Sequence, residues 1–232
     1  MFVPPVLFAA LLAALPLAAQ AQERTVVLEL FTSQGCASCP PADELLPHLA
    51  QVPGVLALAL HVDYWDYLGW TDNFARPENT ARQRAYARSL HQQSIYTPQM
   101  VVQGSDALIG HKADRILASI RAHQALPEPV SIAVERHGDM VVISLVPEAP
   151  IDGPSDVHLV SYMPSGEVSI ASGENAGRDI TYTHVVTGWQ TIARWNGRDP
   201  VSLEVPAPPE DQAVVIVQRT KAGPVLAASA LP

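Results

Sequence analysis

The chain has 232 residues, enough for one large domain or two of ordinary size, and 48% of them are apolar, which excludes a wholly disordered chain. Its 14 Lys and Arg stand against 23 Asp and Glu, a net charge of −9 that repels phosphate backbones and argues against a nucleic-acid partner.

In chain order, residues 1–21 carry no charged side chain, and Val6 to Leu15 is unbroken apolar sequence before Pro16 and the small-x-small run Ala19-Gln20-Ala21. This pattern predicts a secretory signal peptide over 1–21 and a periplasmic or secreted mature chain. No later segment reaches the length of apolar sequence that a spanning helix needs, so no membrane span is expected in the mature chain. Thr25 to Phe31 is β-branched and apolar, a buried strand that Thr32-Ser33-Gln34-Gly35 interrupts. A helix is predicted from about Cys39 to Gln51, with Pro40 and Pro41 in its first turn and a kink at Pro47. Val55 to Val62 is a second strand, and an aromatic loop with Tyr64, Trp65, Tyr67 and Trp70 follows. Glu78 to Gln92 reads as a polar helix whose Arg82, Arg84 and Arg88 form a solvated face. Thr97-Pro98 opens a third strand at Met100-Val101-Val102, Ala107 to Gly110 is a fourth, and Lys112 to His123 is a helix.

After the linker Ala125-Leu126-Pro127-Glu128-Pro129 the period changes to two. Val130–Val134 and Met140–Val146 flank the turn His137-Gly138-Asp139, a hairpin. Strands at 157–162, 180–186, 201–205, 213–218 and 225–228 follow. The expected fold is an α/β domain over 22–126 followed by an all-β sandwich-like domain over 127–232.

Cys36 and Cys39 are the two cysteines of the chain, three residues apart between a predicted strand and a predicted helix. One short C-x-x-C loop constrains the unfolded chain too little to be a staple, so redox chemistry is the better expectation. Backbone N–H groups and the dipole at a helix N-terminus favour a thiolate at Cys36, and Cys39 is placed to attack the mixed disulfide that Cys36 forms. Two thiolates with His61 or His91 would also suit Cu(I) or Zn(II), so a metal chaperone, or a binding protein without turnover, is the alternative reading.

Three strings carry a resemblance: Glu29-Leu30-Phe31-Thr32-Ser33-Gln34-Gly35-Cys36-Ala37-Ser38-Cys39-Pro40-Pro41-Ala42-Asp43, His61-Val62-Asp63-Tyr64-Trp65-Asp66 and Tyr96-Thr97-Pro98-Gln99-Met100-Val101-Val102. With Gly173-Glu174-Asn175-Ala176-Gly177-Arg178 and His184-Val185-Val186, the chain resembles an exported bacterial thioredoxin-like family labelled as a domain of unknown function. The resemblance implies a thioredoxin-like first domain and thiol-disulfide oxidoreduction on protein or small thiol/disulfide substrates, with a redox partner it does not name and no organic cofactor. It implies Cys36 as nucleophile, Cys39 as resolving thiol, a cis Pro98 shaping the cleft, and Glu29 as proton acceptor. Thr97, Tyr64 and Trp65 are the expected substrate contacts, and Asn175, Arg178 and His184 are assigned turn and edge-strand duty. Gly35 in place of Trp, Ala37-Ser38 in place of Gly-Pro and Pro40 in place of Lys are departures from thioredoxin that leave oxidant, reductant and isomerase all open.

Overall fold

The computed structural model describes residues 24–208 and 212–232. The expected signal peptide at 1–21 lies outside the described residues.

The first half forms β1 (Val26–Thr32), α1 (Pro40–Ala50), β2 (Val55–His61), α2 (Pro77–Ser89), β3 (Gln99–Val102), β4 (Asp106–Ile109) and α3 (Ala113–Gln124). β1 and β2 are parallel, and β3 and β4 add antiparallel beyond β1. β1 is buried along its whole length, as a strand covered on both faces must be. Its residues Val26, Leu28 and Leu30 pack with Leu46 and Leu49 of α1 and Ile116 and Ile120 of α3. On the opposite face Val27 and Phe31 pack with Tyr86 of α2.

The second half is all β: β5 (Val130–His137), β6 (Met140–Pro147), β7 (Ser155–Ser169), β8 (Asp179–Trp195), β9 (Val201–Pro206), β10 (Ala213–Arg219) and β11 (Val225–Ala230). The β5–β6 hairpin forms where the sequence places it, with Gly138 at φ 61° in its turn, a conformation that costs glycine little.

The expectation of an α/β thioredoxin-like domain followed by a β-sandwich is overturned. The described chain is mostly β with three α-helices, built on one mixed sheet of eight strands in the order β11-β10-β7-β8-β2-β1-β3-β4 and one antiparallel sheet of three, β5-β6-β9. β8 lies beside β2 and bridges to it in parallel at Ala59↔Val185, so the sheet runs across the predicted linker. The physical reason is the outer edge of β2, which a separate α/β domain would leave with unpaired N–H and C=O groups and which β8 covers here. The sheet then curls until its far edge meets its near one: Val225 N donates to the Gln103 carbonyl at 2.9 Å, and Arg24 donates to the Val225 carbonyl at 2.9 Å. Leu58 and Leu60 of β2 consequently share a core with Val160, Val214 and Ile216. The outer face of β10, with Val215 and Val217, packs against Val141, Ile143 and Leu145 of the three-stranded sheet.

β7 and β8, at 15 and 17 residues, are far longer than expected. Pro164 lacks an N–H for the ladder and faces His184 at φ 50°, yet pairing resumes at Ser165↔Thr183. The hairpin therefore reaches past the sheet and delivers its tip, residues 170–178, to the loop that carries the cysteines. Among the described residues no helix is long and apolar enough to cross a membrane.

Candidate active site at the Cys36–Cys39 pair

Cys36 and Cys39 form a disulfide with Cα atoms 5.4 Å apart. Both cysteines are buried, Cys39, the N-cap of α1, fully and Cys36 with 4% exposure, so Cys36 is the less enclosed of the two. The loop before it is tightly tied. Cys36 N donates to Ser33 O, Gln34 N donates to the Asp72 carboxylate at 2.8 Å, and Trp70 Nε1 donates to Gln34 Oε1 at 2.8 Å.

The helix N-terminus supplies less to the sulfur than its position alone predicts. Pro40 and Pro41 have no N–H, and the next two donors, Ala42 N and Asp43 N, both go to Cys39 O. Side-chain hydroxyls take over. Thr97 Oγ1 donates to Cys36 Sγ at 3.2 Å while accepting from Trp65 Nε1 at 2.7 Å. Ser38 Oγ lies 3.4 Å from the same sulfur and donates to Thr97 O. Thr97-Pro98 is a cis peptide, Pro98 is buried, and its carbonyl accepts from Gly110 N at 2.9 Å. Gly110 is required there, because a Cβ would meet Pro98 Cβ at 2.9 Å and Leu30 Cδ1 at 3.0 Å.

The structure thus gathers Cys36, Cys39, Thr97, Pro98 and Trp65. Tyr64 packs on the Trp65 ring and donates to Gln83 Oε1 at 3.1 Å, and burial pushes its pKa up to about 12 against the opposing bonds to Gln83 and Thr97. Trp65 stacks on Tyr67, which is 77% exposed, and the two rings form an aromatic shelf beside the pair.

Glu29 is not brought to the cysteines. It lies on the β1 face opposite α1, where Arg82 Nε and Nη2 grip both its oxygens at 2.5 and 2.8 Å and Tyr86 donates to Oε1. Arg82 also donates to Gln218 of β10 and stacks over the Trp189 ring at 3.6 Å. This arginine, which the sequence reading assigned to a solvated face, is 11% exposed and joins the two halves of the chain. Burial pulls its pKa down, but the Glu29 charge and the hydrogen bonds to Glu29 and Tyr86 outweigh that and leave it raised.

The carboxyl on the α1 side is one that the sequence reading passed over. Asp43 sits four residues after Cys39 on the same helix face, fully within the protein, and accepts from Thr32 Oγ1 at 2.7 Å through Oδ1. Burial raises its pKa well above the usual carboxyl value; the Thr32 bond opposes this and the Asp72 charge adds to it. Its Oδ2 finds no partner among the described residues, and neither do His61 Nε2 and Tyr182 Oη. His61 Nδ1 lies 2.7 Å from Asp72 Oδ2, and the His61 and Tyr182 rings meet edge-on at 4.6 Å. Among the described residues no three His, Cys, Asp or Glu side chains gather as a metal ion would need. The imidazoles named for a metal sit apart: His61 is engaged with Asp72, and His91 is exposed after the end of α2.

Asn175, buried in the β7–β8 tip, donates to the carbonyls of Gln34 and Cys36, both at 2.9 Å. His184 meets the Ala57 carbonyl at 3.0 Å, and Arg178 is exposed.

Among solved structures, a crystal structure of an Agrobacterium tumefaciens protein is 34% identical, with a TM-score of 0.77, covering 90% of this chain and 94% of that one. HBP35 of Porphyromonas gingivalis, at 14% identity and a TM-score of 0.61, covers 90% of this chain and 74% of that one and is similar in fold alone. No curated protein matches the chain. The profile of one family, described as protein of unknown function, matches residues 27–218, and with that match the chain belongs to the DUF1223 family.

Proposed function

We propose that the protein is a thiol-disulfide oxidoreductase of the cell envelope, thioredoxin-like in its chemistry, acting through Cys36 and Cys39. The observation that carries this reading is the asymmetry of the pair: Cys36 is the less enclosed and accepts a hydrogen bond from Thr97, whereas Cys39 is fully buried. A donor on a sulfur stabilises its thiolate, the form that attacks.

Starting from the dithiol, the Cys36 thiolate attacks a substrate disulfide, forms one S–S bond and expels a substrate thiolate, which takes a proton. Cys39 then attacks Cys36 Sγ, forms the internal disulfide and releases the second substrate thiolate. Two electrons pass from the cysteines to the substrate, and the Cys39 proton must leave the buried sulfur. Asp43, rather than Glu29, is the carboxyl placed for that transfer, since it lies one helical turn from Cys39 on the same face and has an oxygen to spare. The reverse sequence oxidises a substrate dithiol. The Trp65–Tyr67 shelf gives an extended polypeptide an apolar surface beside Cys36.

The test is reduction of insulin disulfides by the mature protein with dithiothreitol as electron donor. Cys36→Ser should abolish turnover, and Cys39→Ser should accumulate a mixed disulfide on Cys36. Unchanged turnover in Cys36→Ser would sink the mechanism.

A further inference from the structure

The long β7–β8 hairpin ends in a loop whose side chains are exposed or half-exposed from Ala171 to Asp179, with one exception, Asn175 at 1%. Its amide nitrogen spends both protons on main-chain carbonyls at the two ends of a three-residue span, Gln34 O and Cys36 O, which lie 141 and 139 positions away in sequence. The same Cys36 carbonyl accepts from Cys39 N at 3.2 Å. The support under the amide is firm. Ile170 N–H bonds to Arg178 O and Gly177 N–H to Ile170 O close the loop, and Ser172 Oγ donates to Gly69 O at 2.6 Å.

We propose that Asn175 is a positioning residue that sets the equilibrium between the disulfide and dithiol forms of Cys36 and Cys39. In the disulfide, the covalent bond itself keeps the two residues together. Once that bond opens, the Ala37-Ser38 main chain still joins the two residues, but the orientation of Cys36 towards Cys39 rests on non-covalent ties: its N–H bond to Ser33 O, the Cys39 N–H bond to its carbonyl, the Thr97 hydroxyl and the Asn175 amide. Each tie that holds the Cys36 backbone restricts the dithiol to conformations near the bonded geometry, which raises the effective concentration of one thiol at the other and favours closure. Deleting the amide frees the dithiol more than the disulfide, so the pair becomes easier to reduce. The all-β half of the chain thereby acquires a role at the cysteines. The biological meaning of this inference rests on the redox reading above, but its measurement does not.

The experiment equilibrates the full mature chain with reduced and oxidised dithiothreitol and quenches by alkylation. Protein disulfide and reagent dithiol exchange two electrons and two protons, so an equilibrium constant follows whether or not the protein turns over a substrate. Asn175→Ala should lower the constant for disulfide formation about tenfold, equivalent to about 30 mV. Asn175→Ser, which keeps a single donor, should shift it less in the same direction, and it carries the test if the alanine variant does not fold. Ser172→Ala, which removes one support of the loop and keeps the amide itself, should lower the melting temperature and move the constant less than either Asn175 variant. The proposal is overturned if the Asn175 variants destabilise oxidised and reduced forms equally and leave the constant where it was, or if Ser172→Ala moves it as far. A shifted constant in a protein that never reduces insulin would instead remove the oxidoreductase reading and leave this one standing.

Discussion

Two buried carboxylates lie on opposite faces of the same sheet and are treated in opposite ways. Glu29 is saturated: Arg82 holds both oxygens, Tyr86 adds a third bond, and the guanidinium is itself completed by Gln218 and the Trp189 ring. Asp43 has one bond, from Thr32, and an oxygen without a partner among the described residues, as are His61 Nε2 and the Tyr182 hydroxyl. A satisfied buried network rigidifies, whereas an unsatisfied one carries a desolvation cost that folding alone does not explain. The difference separates a knot that joins the two halves of the chain from a buried carboxyl one helical turn from Cys39.

The sharpest way to break this comparison is at the knot. Arg82→Met strands the Glu29 charge in the core and should cost about 3–5 kcal/mol in denaturant unfolding, whereas Glu29→Leu with Arg82→Met should recover more than half of that loss. A cost below about 1 kcal/mol for the single variant would remove the knot's structural role.

Next in size is His158, whose ring lies beside Trp189 and whose pKa burial lowers to about 4. The unfolded chain protonates this imidazole near its ordinary value of about 6.5, before the folded chain does, so stability falls as pH drops from about 6.5 towards 4, by up to ~3 kcal/mol. His158→Gln should flatten that limb in unfolding curves taken across the range, and an unchanged slope would place the acid sensitivity elsewhere.

At the cysteines the effects are smaller and more specific. Thr97→Val removes the hydroxyl donor to Cys36 Sγ, and with it the acceptor of Trp65 Nε1, and should slow alkylation of reduced Cys36 at neutral pH about tenfold, the equivalent of one charge-assisted hydrogen bond, whereas Thr97→Ser should keep the rate. A further effect is expected at Asp43. Its folded pKa is raised, so the folded state keeps a proton that the unfolded state releases, and native stability declines as pH rises from the ordinary carboxyl value through the raised one. Asp43→Asn cannot ionise, so its melting temperature should gain on the parent with rising pH. A constant difference across the range would mean that Asp43 holds no such proton.

Much of the first half was legible because its signals are local. β-branched apolar runs mark β1 and β2, prolines mark the start of α1, and the C-x-x-C between them marks the candidate site. What stayed hidden depends on partners far apart in sequence. Arg82 reads as one of three solvated arginines until β1 and β10 bring Glu29 and Gln218 to it, 53 and 136 residues away. Pro164, Gly166 and Gly188 look like strand ends, although β7 and β8 run through them; Gly166 leaves room where a Cβ would meet Met163 and Phe74 at 2.7 Å. The bridging of β8 to β2 rests on a parallel pairing that no local pattern announces, and without it the chain divides on paper into two domains. Asp43 was masked by its position, since an acid in a helix's first turns needs no other explanation than the dipole. Asn175 stands in a Gly-rich turn where asparagine is ordinary; only its burial sets it apart.

The most direct test of the account is a redox titration of the mature protein in glutathione buffers, following alkylation of Cys36. The account predicts a reversible two-electron transition between about −120 and −270 mV, the range spanned by proteins that exchange disulfides. A pair that stays oxidised down to roughly −300 mV would be one that the glutathione pool cannot reduce, and Cys36–Cys39 would then be a structural bond.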